Sequence, residues 1–178
     1  TPVGQPQTFR AIPVGQGSLP AADRVAITAF QQQTARLQRA LLGTAQSLTE
    51  AETRLGLLRR ALDQTPRAPV TLAQRGRALN DRLRELRTEL SGDEVIGSRN
   101  EPVPPSVQDR LQRVISGTWN NTSAPTTTAR RGYDIASAAL TTFLPKFRAA
   151  MEEIRKLEDD AEAAGAPWTP GRLPSWIP

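Results

Sequence analysis

Apolar side chains recur along this chain with the period of a helix, and the first such run is the longest. Between Ala21 and Leu62, the residues Ile27, Thr34, Leu41, Leu48, Leu55 and Leu62 fall seven apart. Phe30, Leu37, Thr44, Ala51 and Leu58 form a second track offset by three. Spacings of three and four place one narrow apolar seam on a single helix face. At about 1.5 Å per residue this predicted helix runs roughly 60 Å. It is not stable alone in water, so its seam needs partners.

Two later runs supply matching seams. Over Val70 to Leu90, Leu72, Leu79 and Leu86 form one track, and Gly76, Leu83 and Leu90 the other. Gly76 on that seam costs about 1 kcal/mol of helix propensity and permits a close helix approach. From Ser123 to Gly165, Ala136, Phe143, Ala150 and Leu157 alternate with Leu140, Phe147, Ile154 and Ala161. Pro145 interrupts this last helix and removes one backbone donor, which predicts a kink rather than a break. Between the two runs, Gly92, Gly97, Pro102, Pro104 and Pro105 forbid continuous helix over 91–105. Ser106, with Asp109 three residues on, reads as the cap of a short helix over Val107 to Thr118.

The connection Thr65 to Pro69 is short, so the second helix returns antiparallel to the first. The two middle helices together match the length of either long one. The expected fold is therefore all-α: a long antiparallel bundle of three legs and four helices, with the middle leg broken. In it the start of the second helix and the end of the last share one pole. The alternative is a parallel or intermolecular coiled coil through the first helix, with the rest as decoration, and an apolar strip left exposed there would favour a homo-oligomer.

Three regions follow. Residues 1–18 are rich in Pro and Gly; Gln7 to Ile12 alternates like one strand, the remnant of a preceding β domain or a plain extended arm. Residues 19–165 are the bundle. Residues 166–178 form a tail containing Trp168 and Trp176, each read as an anchor on the bundle or on a partner. With Thr1 in place of an initiator Met, the chain reads as mature or excised from a longer protein.

Composition narrows the chemistry. Aromatic residues are only 4% of the chain, which suits Leu- and Ala-rich helix packing. Cysteine and histidine are absent, which removes thiol nucleophiles, disulfides, the commonest general base and the commonest transition-metal ligands. No catalytic, cofactor or metal residue stands out. Glu152-Glu153 and Asp159-Asp160 are helix neighbours pointing about 100° apart, poor for shared acid–base work. Glu101, in the Pro-rich break, is the one carboxylate left as a candidate, with a loop-stabilising acceptor as the plainer reading. No run of some twenty apolar residues exists, so no membrane span is expected.

The net charge of +5 invites a nucleic-acid reading, but its distribution argues otherwise. Nine arginines from Arg54 to Arg87 face Asp63, Asp81 and Glu85, while six acids from Glu152 to Glu162 face Arg155 and Lys156. The bundle topology brings these regions to one pole, where they pair internally, and no nucleic acid is expected as a partner. An Arg-rich anion or nucleic-acid module using Arg75 and Arg82 remains as a lesser alternative.

Two segments carry a family resemblance. Asn100-Glu101-Pro102-Val103-Pro104-Pro105-Ser106 and Ala164-Gly165-Ala166-Pro167-Trp168-Thr169-Pro170-Gly171-Arg172 resemble the C-terminal region of large bacterial sortilin-like β-propeller proteins. Those proteins are often labelled BNR-repeat or sialidase-like glycosyl hydrolases. In them a propeller is followed by a small β domain, whose end Pro6 to Val14 resembles, and then by a helical region. The resemblance implies a non-catalytic structural or interaction domain, partnered by the parent's β-propeller and β domains. It also implies a periplasmic or extracellular setting; no cofactor is expected from the residues themselves. An accessory part of a glycoside-hydrolase-like enzyme, its active site outside this chain, is the other reading. Trp168, Arg172, Trp176, Asn100 and Glu101 are the candidate interaction residues.

Overall fold

The seam of the long first helix is covered by two other legs of the same chain. The computed structural model describes residues 4–5, 7–10, 20–99, 101–119 and 123–174. Its elements are α1 (Ala21–Asp63), α2 (Val70–Ser91), α3 (Glu94–Ser98), α4 (Val107–Trp119) and α5 (Thr127–Ala163). The described residues contain no strand; residues 7–10 are exposed and irregular, and the rest of the expected strand lies outside them. The expected four helices become five. The break holds one extra turn, α3, started by the Asp93 carboxylate, which accepts from the backbone N–H of Val95 and Ile96 at 2.9 and 3.2 Å.

α2 packs on α1 and α5, and α4 continues the same leg, packing on α5 and α1. This is the three-legged bundle that the heptad tracks require. Every seam residue of α5 is buried, and on α1 and α2 only Leu37 and Leu79 are partly exposed. At roughly 25 cal/mol per Å² of apolar area removed from water, these rows are the main stabilising term. Thr34 and Thr44 sit in the α1 seam without an unmet hydroxyl. Each donates back to its own helix, to the carbonyls of Phe30 and Ala40 at 2.9 and 2.8 Å. Gly76 provides the close approach: a β-carbon there would lie 3.1 Å from Cγ of Arg59 and 3.7 Å from a methyl of Leu157.

The middle leg is interrupted rather than ended. The chain leaves α2 at Gly92, whose φ of 91° is left-handed backbone that favours glycine. It returns at Ser106, whose Cβ would be 3.8 Å from a β-carbon on Gly92. Residues 93–105 are thus an excursion whose two ends touch. The return is fixed by a reciprocal cap: the Asp109 carboxylate accepts from Ser106 N and Oγ, and Ser106 Oγ accepts from Asp109 N at 3.1 Å.

α5 starts at Thr126, whose hydroxyl accepts from Ala129 N at 3.1 Å. The helix runs continuously through Pro145. Pro145 is exposed, so the carbonyl of Thr141 that it leaves without a partner faces solvent rather than core. That placement, on the exposed face and off the buried tracks, is why the helix tolerates a proline.

Candidate interaction site at the charged pole

At one pole the end of α1, the start of α2, the end of α5 and the tail converge. α5 ends in a Schellman turn: Ala166 N donates to Ala161 O and Gly165 N to Glu162 O, both at 2.9 Å, with Gly165 at φ 81°. Ala166 and Thr169 are buried by the reversal, and a second turn follows, with Gly171 at φ 92° and Arg172 N donating to Thr169 O. The tail is thereby folded back over the last turns of α5.

Arg172 is the clasp. Its Nη2 lies 2.8 Å from Asp159 Oδ1 and 2.5 Å from Glu162 Oε2, and its Nη1 lies 3.5 Å from Glu158 Oε2. Its guanidinium also sits 5.9 Å from the centroid of the Trp168 ring. The hydrogen bond to Glu162, then that to Asp159, raises the Arg172 pKa above the ordinary arginine value. A raised pKa means the contribution is complete below the unfolded value and is lost only at higher pH still, so Arg172 itself does not titrate under ordinary conditions.

Beneath the clasp lies Glu158, 2% exposed. Arg54 of α1 holds it with both Nε and Nη2, one donor to each carboxylate oxygen. Arg75 of α2 bonds Asp160 at 2.5 Å. Acids at a helix C-terminus oppose the macrodipole. Here Arg54, Arg75 and Arg172 supply the opposing charge, so the basic and acidic stretches do meet at one pole. Farther along, Arg87 pairs with Glu52 and Lys146 with Glu89 across the legs.

Of the candidate interaction residues, Arg172 is engaged inside the fold and Trp168 packs against it with 40% of its surface exposed. Glu101 is exposed in the excursion and makes no hydrogen bond or ion pair with the described residues, so the expected acceptor role is not seen there. The break it belongs to opens at the far end of α2, roughly 30 Å along the bundle from the charged pole. Trp176 and Asn100 lie outside the described residues. The candidates therefore do not gather into one site. Glu158 was not singled out by the sequence, although it lies between Ile154 and Ala161 on the flank of the seam.

Chemically the pole is a closed set of pairs. Among the described residues no buried side-chain polar atom lacks a partner, and no cluster of three carboxylates, cysteines or histidines has metal-ligand geometry. No described helix is long and apolar enough to cross a membrane. What the pole offers a partner is surface: the open face of Trp168 and, beside it in the tail, Leu173 at 92% exposure. Comparison with family models, with curated proteins and with solved structures gives no match.

Proposed function

We propose that the chain is a non-catalytic helical structural and interaction domain of a larger, exported sortilin-like β-propeller protein. It docks on the parent's β domains through the tail at the charged pole. The observation that carries this reading is the folded-back tail, which the Arg172 clasp holds in one shape while Trp168 and Leu173 stay exposed. A tryptophan pre-positioned at low entropic cost is the kind of anchor that dominates interface energies. The family resemblance of the Ala164 to Arg172 segment supports the same reading. The test is binding of this purified chain, in trans, to the remainder of its parent. Saturable binding weakened at least about tenfold by Trp168→Ala supports docking through the tail. Absence of binding by a folded chain rules the docking out.

A further inference from the structure

Away from the charged pole, α4 and α5 enclose a cleft of about 320 Å³ on their outer side. Its origin is local. Where the helices touch, Gly132 of α5 faces Val114 of α4 so closely that a β-carbon would lie 2.9 Å from Cγ2 of Val114. One turn farther along α4, Gly117 has open space where a side chain would stand, and Thr128 and Ala129 opposite are short. Val114, Ile135 and Pro105 supply apolar lining to the gap. Ile135 remains 42% exposed.

The rim of the cleft is cationic. Arg110 and Arg113, from successive turns of α4, both line it, and neither side chain makes an ion pair or hydrogen bond with the described residues. No acid is among its lining residues. Asp109, the nearest acid in sequence, is committed to capping Ser106. At the start of α5, Thr126 Oγ1 already takes one of the free backbone donors, Ala129 N. This is the reverse of the other pole, where Arg54, Arg75 and Arg172 each have a carboxylate.

We propose that this cleft binds a small amphipathic carboxylate, with its apolar chain along Val114 and Ile135 and its carboxylate on Arg110 and Arg113. Two guanidinium forks match a planar carboxylate, and they gain strength at the edge of an apolar wall. The volume lies at the low end of small-molecule sites, so the ligand is no larger than a medium-chain acid. From Gly117 to Arg110 the cleft follows two turns of α4, roughly 10 Å, which suits an extended chain rather than a compact ring system. The inference goes beyond the docking role and does not depend on it.

The test is calorimetric titration of the whole chain with octanoate, octanol and acetate in parallel. Expected is one saturable site for octanoate, at least about tenfold tighter than for either of the others. Arg110→Gln with Arg113→Gln, the first half-buried and the second exposed and neither paired with the described residues, weakens octanoate at least about tenfold and leaves the thermal midpoint unchanged. Gly117→Leu fills the open space and abolishes binding without lowering the midpoint, since leucine is the better helix former. Failure of octanoate to saturate overturns the proposal. So does octanol binding as tightly, which removes the carboxylate's role, or acetate binding as tightly, which removes the chain's. Unchanged affinity in the Arg110→Gln/Arg113→Gln double variant overturns it too.

Discussion

Arg54 and Glu158 form a pair whose two halves are unequally placed, and that inequality predicts an asymmetric mutational response. The Glu158 side chain is 0% exposed while that of Arg54 is 35% exposed. Arg54→Met leaves a carboxylate in the core with only Arg172, at 3.5 Å, still near it. Uncompensated buried charges of this kind cost about 3–5 kcal/mol, and the remaining arginine places the expected loss near the lower end, at about 3 kcal/mol. Glu158→Met removes the buried charge instead. Arg54 can then turn its guanidinium to water, so the loss is about 1 kcal/mol or less. The double variant should recover most of the Arg54→Met deficit, because no charge is then left in the core. In a chain of this length a 3 kcal/mol loss lowers the midpoint by roughly 6–12 °C. Urea unfolding followed by far-UV circular dichroism measures all three variants, and an unchanged slope licenses the comparison. Equal losses for the two single variants, or a double variant worse than Arg54→Met, would refute the reasoning.

Other predictions follow from burial and open space. Phe143 of α5 is fully buried in the core, and Phe143→Ala should cost about 3–5 kcal/mol, whereas Leu42→Ala, on a side chain 56% exposed, should stay within about 0.5 kcal/mol. Gly43→Ala meets nothing within 4 Å and should stabilise by up to about 1 kcal/mol, while Gly132→Ala, forced against Val114 at 2.9 Å, should destabilise; thermal melts separate the two signs. Replacing residues 93–105 by a short Gly-Ser link should leave the bundle folded, because Gly92 and Ser106 already touch; loss of the cooperative melt would contradict this.

The legs were legible because their signal is long and strictly periodic. α1, α2 and α4 begin where Pro20, Pro69 and Ser106 place them, since a proline or a cap fixes a helix start with local chemistry alone. The start of α5 was less sharp: Ser123 to Pro125 read as its beginning, but the capping side chain is Thr126. α3 escaped notice because a single turn has no period, although Asp93 ahead of Val95 and Ile96 is a cap signal of the same kind. The meeting of acidic and basic stretches followed from topology. Which carboxylate is buried did not, because Glu158, Asp159 and Asp160 differ only by helix rotation. The cleft under Arg110 and Arg113 was equally hidden, since it arises from what Gly117 and Gly132 lack, on helices that meet only in the fold.

The central claim is that one chain closes its own seam. Among the described residues of α1, the large apolar side chains left exposed are Val25 and Leu42, too far apart along the helix to form a strip. Sedimentation equilibrium combined with small-angle scattering tests the claim directly. A concentration-independent single-chain mass, with a rod-like particle whose long dimension is close to the length of α1, roughly 65 Å, is the predicted result. A stable dimer that dissociates only on unfolding would mean that the α1 seam is shared between chains, and would contradict it.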